Sequence, residues 1–193
     1  MRIGLYFGSF NPIHLGHLII ANTVSEEAKL KKIWFVLSPQ NPLKEKKTLL
    51  PEYDRLHLLN LAIENNPHFQ ASTIEFDLPQ PSYTIDTLAY LKEKYPNHEF
   101  VLIMGGDQIN SFHKWKNYQK LLSENEIIIY KRSDEDQLPK EWNSIAKHIT
   151  LLEVPLFPIS STLIRQKVKA KKSIHYLVPE KVEQYILSSG YYK

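Results

Sequence analysis

Gly4-Leu-Tyr-Phe-Gly-Ser-Phe-Asn-Pro-Ile-His-Leu-Gly-His17 is the stretch that decides the fold. Ile3, Leu5 and Phe7 recur at every second position, the pattern of a short first strand. Gly8 and Ser9 break the run, and Asn11-Pro12 marks a turn, because a residue before proline is pushed away from helical geometry. An apolar helix is predicted after Pro12, with His14 and His17 in its first turns. Strand, small-residue turn and helix start make a ready anion site, where free backbone N–H groups and the positive end of the helix dipole point at the ligand. Two imidazoles three residues apart share one face of that helix start. Gly16 between them offers no side chain to obstruct a ligand. The stretch reads as a phosphate site whose side-chain donors are histidines.

Outward from this stretch, helical periodicity runs on from Leu15 to Ala28. Ile33-Trp-Phe-Val-Leu37 is an unbroken apolar run of strand length, as in a parallel strand buried on both faces. Ser38 to Pro42 must be loop. Pro51, with Glu52 and Asp54 after it, suits a helix start, and Leu56, Leu59 and Ile63 give that helix a stripe that ends at Asn65-Asn66-Pro67. Residues 69–76 read as a strand. A helix over 82–95 presents Ile85, Leu88, Ala89 and Tyr90/Leu91 as its apolar side. Strands follow at 100–104, 127–130 and 149–154, and residues 132–146 carry no clear pattern. Helices over 160–169 and 179–189 close the chain, the second stopped by Gly190.

Strands alternating with helices of this length define an α/β fold: a Rossmann-like, doubly wound, mostly parallel sheet with helices on both faces. With no repeat, linker or low-complexity tract, residues 1–193 read as a single domain, with 158–193 as a small helical C-terminal part. Ligands in such sheets collect at the carboxyl ends of the strands. Gly8–His17, Ser38–Lys44, Gly105–Asp107 and Arg132 all fall there.

Composition narrows the function. The 193 residues are 42% hydrophobic and 23% charged, ordinary for a globular protein. A net charge of +3, from 24 basic and 21 acidic residues, is too balanced to indicate nucleic acid or an anionic membrane as partner. Lysine clusters at 29–32, 44–47 and 167–172 read as solvated faces. The absence of cysteine excludes disulfides, zinc–thiolate sites and cysteine nucleophiles. No apolar run approaches the ~20 residues that span a bilayer, and no signal peptide is visible, so a cytoplasmic location is expected.

A second motif, Ile159-Ser-Ser-Thr-Leu-Ile-Arg165, opens a predicted helix after Pro158. Ser160 and Ser161 either cap that helix or offer hydroxyls to phosphate, and Arg165 one turn on can reach the same ligand. The two motifs supply helix starts, histidines, hydroxyls and an arginine, but no evident nucleophile or general base. That inventory suits nucleotidyl transfer, in which the protein positions phosphates and stabilises charge while an outside anion attacks. Neither G-x-x-x-x-G-K-[ST] nor G-x-G-x-x-G is present, which argues against P-loop and ordinary dinucleotide sites.

Gly8-Ser-Phe-Asn-Pro-Ile-His-Leu-Gly-His17 together with Ile159-Ser-Ser-Thr-Leu-Ile-Arg165 resembles the nucleotidyltransferase superfamily marked by T/HxGH and SSTxIR. Within it, the chain is similar to the bacterial nicotinate-nucleotide adenylyltransferases. Pro81-Ser-Tyr-Thr84, Asp86-Thr87, Gly105-Gly-Asp107, Lys114-Trp115, Lys131-Arg132 and Tyr176-Leu-Val-Pro179 follow in that family's order, so the resemblance covers nearly the whole chain.

The resemblance implies transfer of AMP from ATP to nicotinate mononucleotide, with release of pyrophosphate, in NAD biosynthesis. It implies that Gly8, Ser9, Phe10, His14 and His17 border the ATP phosphates, with His17 nearest the α-phosphate. Ser160, Ser161 and Arg165 would hold the leaving pyrophosphate, and Gly105, Asp107 and Arg132 the adenosine half. His14, His17 and Arg165 are then the catalytic set. Tyr83, Thr84, Trp115 and Lys116 would surround the nicotinate, and Lys44 the mononucleotide phosphate. Mg2+ would enter bound through ATP phosphates, with no dedicated protein ligands.

On physics alone, Trp115 is either a stacking platform or core, and Asp107 either accepts ribose hydroxyls or caps a helix. Competing functions are a sister adenylyltransferase acting on nicotinamide mononucleotide or phosphopantetheine, and a silent nucleotide-binding module. Oligomeric state is left open, a homo-oligomer included. The chain departs from the family pattern at Phe7 (added bulk), Asn11 (a lost charge) and Leu43 (a lost histidine). Gly106, in place of a common alanine, is expected to be harmless.

Overall fold

Six strands form one sheet in the order β3-β2-β1-β4-β5-β6. They are β1 (Arg2–Gly8), β2 (Lys32–Leu37), β3 (Phe69–Ser72), β4 (Glu99–Gly105), β5 (Glu126–Tyr130) and β6 (His148–Leu152). Every adjacent pair is parallel. The computed structural model describes residues 1–39, 49–133, 136–155 and 157–193. β1 lies at the centre, with Tyr6 opposite Phe35 on β2 and Ile103 on β4. The chain first winds outward through β2 and β3, then returns beside β1 and winds the other way. The reversal lies between β1 and β4, and it opens the crevice where such sheets take their ligands.

Helices cover both faces because the central strands are apolar on both. On one face, α1 (Leu15–Glu27), α2 (Glu52–Ile63), α6 (Ser161–Lys169) and α7 (Glu180–Ser189) bury Ala21, Val24, Leu58, Leu59, Ile164 and Val182 against Tyr6, Phe35 and Ile103. On the other, α3 (Thr84–Lys94), α4 (Tyr118–Glu124) and the short α5 (Trp142–Ile145) bury Leu88, Leu91, Leu121 and Trp142 against Leu5, Val36 and Leu102. Alternation along β1 therefore sends Tyr6 to the first face and Phe7 to the second. The two motifs lie on α1 and α6, both on the first face.

The elements differ from the expected ones in four places. The stretch over 69–76 breaks after Ser72 and finishes as a 3-10 turn, Ile74–Phe76, which turns Glu75 inward. Ala89 and Tyr90 face solvent, and the apolar side of α3 is completed by Thr87. Between β4 and β5, where the sequence pattern marks no element, Gly106–Lys114 forms a long 3-10 segment and Tyr118–Glu124 the helix α4. The unpatterned 132–146 region contains α5, anchored by buried Trp142.

Candidate active site

His14 is the residue that caps α1, with extended backbone (φ −149°, ψ 167°). Its imidazole is 4% exposed and stacks on that of His17, with ring centroids 3.6 Å apart. Gly16 makes this possible. A Cβ there would lie 3.0 Å from His14 Nδ1 and 3.2 Å from its Cε1. Phe10, held at φ 42° and buried, meets His17 edge-on at 5.2 Å and Tyr6 at 5.8 Å. The rings behind His17 are thus a rigid apolar floor. His14 Nδ1 is buried and has no hydrogen-bond partner among the described residues. Burial, and secondly the positive charge of Arg132, hold this imidazole down at about 4. His14 is therefore neutral at pH 7, an uncharged polar group waiting in a low-dielectric site.

The second motif meets the first directly. Ser160 is the N-cap of α6, and its hydroxyl accepts from Leu163 N–H at 3.1 Å. Ser160 thus fills the capping role, and its O–H is left as a donor. Ser161 Oγ donates to the Pro12 carbonyl at 2.9 Å, and Arg165 Nη1 to the Asn11 carbonyl at 2.7 Å. Ile159 Cβ stands 3.7 Å from where a Gly16 Cβ would be. The α1 start is not wholly open to an anion, since Leu15 N–H is taken by the Leu177 carbonyl at 3.0 Å.

A cavity of about 280 Å³ opens beside these motifs, lined by His14, Gly16, Tyr130, Arg132, Phe157 and Ile159 among others. Arg132 lies over the Tyr130 ring, 5.7 Å to its centroid, and its Nε is 3.5 Å from Asp107 Oδ1. Tyr130 and Tyr6 join hydroxyls at 3.1 Å beneath it. Asp107 thus pairs with Arg132, beyond the two roles expected for it. Gly105, the last residue of β4, lies under this pair: a Cβ there would fall 2.3 Å from Asp107 Oδ1. Gly106 fits its place as expected, and an alanine there would not. A Cβ at 106 would fall 2.0 Å from Asp136 Oδ2, which accepts the backbone N–H of Arg132 at 2.6 Å and of Ser133 at 3.1 Å. An alanine would push Asp136 off the turn that carries Arg132.

The residues assigned to the nicotinate gather on the other face. Tyr83 precedes Thr84, the first residue of α3. Lys116 Nζ lies 4.8 Å over the Tyr83 ring and pairs with Asp86 at 2.8 Å. Trp115 is half-buried and packs on Phe112 at 4.9 Å. Phe7 projects onto this face, so its bulk does not enter the His14–His17 turn. Lys44 and Leu43 lie outside the described residues.

Three groups that sequence reasoning missed hold these loops. Arg55 is fully buried, and its guanidinium donates to the carbonyls of Ser9 (2.8 Å), Ser38 (2.8 Å), Pro39 (2.9 Å) and Leu50 (2.9 Å). It joins the turn after β1 to the segment after β2, while the Gly8 carbonyl accepts Ser38 N–H at 3.0 Å. Its position three and four residues before Leu58 and Leu59 was the available signal. Glu75 is buried beside the start of α3 and accepts the Thr87 hydroxyl at 2.9 Å. Burial raises its carboxyl above the ordinary range, opposed in part by the Thr87 hydroxyl hydrogen bond. Tyr192, near the C-terminus, donates to Asn11 Oδ1 at 2.8 Å, and nothing in the sequence pointed to it.

This is the geometry of a nucleotide-binding crevice closed by two distant motifs on a 3-2-1-4-5-6 sheet. A cytidylyltransferase-like family model matches residues 5–167, and the chain belongs to that family. It is similar over its whole length to the probable nicotinate-nucleotide adenylyltransferase of Flavobacterium psychrophilum (52% identical over 193 residues, 100% of both chains). The corresponding protein of Bacteroides thetaiotaomicron is 42% identical over 186 residues, 96% of this chain and 91% of that one. The fold is similar to that of Plasmodium falciparum nicotinic acid mononucleotide adenylyltransferase complexed with NaAD (TM-score 0.81, 22% identity, 99% of this chain and 97% of that one).

Proposed function

We propose that the chain is a nicotinate-nucleotide adenylyltransferase of NAD biosynthesis: it transfers AMP from ATP to nicotinate mononucleotide and releases pyrophosphate. The observation that carries this is the seating of Arg165 and Ser161 on the carbonyls of Asn11 and Pro12, beside the stacked His14 and His17. Two phosphate-directed motifs then face one ligand, as a triphosphate under attack requires.

An oxygen of the mononucleotide phosphate attacks the α-phosphorus of ATP, and the bond from that phosphorus to the bridging oxygen of the leaving pyrophosphate breaks. The attacking group is already an anion, so no general base is needed. The protein's share is to align the two substrates and to neutralise developing charge. In our assignment His17 donates at the α-phosphate, and neutral His14 offers an N–H next to it. Arg165 and the α6 N-terminus hold the pyrophosphate. Gly8, Ser9 and Phe10 shape the turn against which the triphosphate lies. Gly105, Asp107 and Arg132 border the adenosine in the cavity. Tyr83, Thr84, Trp115 and Lys116 receive the nicotinate, and Lys44 the mononucleotide phosphate.

Among the described residues no three His, Cys, Asp or Glu side chains gather to hold a metal ion. A magnesium ion would be bound through ATP phosphates and water, and it would supply charge neutralisation at those phosphates. Among the described residues, no helix is long and apolar enough to cross a membrane. We place the enzyme in the cytoplasm, as a single domain over residues 1–193. Phosphorus NMR of the protein with ATP, magnesium and nicotinate mononucleotide tests the reading. New pyrophosphate and a new dinucleotide diester support it, and unchanged spectra overturn it.

A further inference from the structure

The turn between the two histidines and β1 is held from behind by the last residues of the chain. Tyr192 has φ 63°, a left-handed conformation uncommon for a residue other than glycine. Its hydroxyl donates to Asn11 Oδ1 at 2.8 Å, and the same oxygen accepts Leu50 N–H at 3.2 Å. Asn11 is itself buried, 5% exposed. Its main-chain carbonyl accepts Arg165 Nη1 at 2.7 Å. Three separate parts of the chain therefore converge on one residue inside the first motif: the C-terminal tail, the entry to α2, and α6. Burial raises the Tyr192 phenol far above neutral pH, so the hydroxyl stays a donor. The convergence also explains Asn11. Its side-chain oxygen meets two neutral donors, which an amide satisfies without bringing a charge into the site.

We propose that Tyr192 is a positioning residue for the hold on the leaving pyrophosphate: by fixing Asn11 it sets the place of the carbonyl against which Arg165 is braced. The role rests on the assignment of Arg165 to the leaving pyrophosphate. Arg165 Nη2 is fastened to Thr162 Oγ1 on its own helix at 3.1 Å, so among the described residues the Asn11 carbonyl is its hydrogen-bonded anchor outside α6. A tilt of Asn11 moves that anchor, and a guanidinium fork is sensitive to such a shift because its donors are rigidly spaced.

The test is Tyr192→Phe, which removes the hydroxyl and keeps the ring, assayed with Arg165→Ala and the double variant. Three quantities are read: kcat, KM for the mononucleotide, and inhibition by added pyrophosphate. For Tyr192→Phe, kcat should fall about fivefold and pyrophosphate inhibition weaken by a similar factor, the worth of one hydrogen bond. KM for nicotinate mononucleotide should stay within about twofold of the parent, a split that general loosening of the fold would not give. In the Arg165→Ala background, Tyr192→Phe should add almost nothing, because the two act as one unit. Parental kcat and pyrophosphate inhibition in Tyr192→Phe, or a loss that adds fully to that of Arg165→Ala, would overturn the role of Tyr192 alone. If Arg165→Ala leaves pyrophosphate inhibition intact, the assignment of Arg165 fails, and the role of Tyr192 fails with it.

Discussion

Arg165 and Asn11 lie 154 positions apart in sequence, and the guanidinium of one donates to the backbone carbonyl of the other at 2.7 Å. That bond closes the start of α6 onto the turn between β1 and α1. It turns two short motifs into one concave site at the point where the sheet reverses its winding. Around it stand the histidines, the buried Arg55 that holds the Ser9 carbonyl, and the acceptor side of the sheet.

His17 is backed by Phe10 and Tyr6 and stacked on His14, so its place is set by packing before any ligand arrives. A preorganised donor of this kind is worth roughly 10²- to 10³-fold in rate. His17→Ala should lower kcat by that factor in steady-state assays. Near-parental turnover would remove His17 from the α-phosphate.

His14 makes stability depend on pH. Its folded-state value of about 4 lies below the ordinary 6.5, so between these limits the unfolded chain binds a proton that the folded one does not. Stability is then full above pH 6.5 and is lost as pH falls toward 4. At pH 5 the loss from this group is about 2 kcal/mol relative to pH 7. Urea midpoints at pH 7 and pH 5, compared between parent and His14→Gln, should differ more in the parent. An equal pH dependence in both would contradict the burial argument.

Arg55 stabilises four carbonyls from three segments at once, with its planar fork fully enclosed. Arg55→Leu leaves those carbonyls without their donors. The expected cost is about 3–5 kcal/mol by urea titration, the scale of leaving several buried acceptors unpaired. Arg55→Lys, with three donors on a point charge, should fall between leucine and the parent. A cost under about 1 kcal/mol for leucine would mean that the loops hold themselves.

Trp115 rests on Phe112 but keeps part of its ring exposed on the face that carries Tyr83 and Thr84. Trp115→Ala should raise KM for the mononucleotide and leave that for ATP nearly unchanged. Equal increases for both substrates would make the ring purely structural.

The fold was legible because its signals are local. Ile33–Leu37, Phe100–Met104 and the Gly4–His17 turn each announce themselves by apolar periodicity or turn chemistry, and the sheet follows from their alternation. Ser160–Arg165 was legible as a motif, but its capping role shows only in the Leu163 N–H that the Ser160 hydroxyl accepts. Arg55, Glu75 and Tyr192 were missed for a common reason. Each is an ordinary surface-type residue in sequence, and each becomes important only through carbonyls, hydroxyls or amides brought in from distant segments. Gly106 shows the same limit, since its lack of a side chain matters only because Asp136 comes to rest there.

The most direct measurement is kcat/KM of the purified protein, with ATP and magnesium, for nicotinate mononucleotide, nicotinamide mononucleotide and phosphopantetheine. A site that hydrogen-bonds the nicotinate carboxylate should favour the acid over the amide by at least about 100-fold and leave phosphopantetheine unused. Pyrophosphate release with phosphopantetheine but not with nicotinate mononucleotide, or with none of the three, would contradict it.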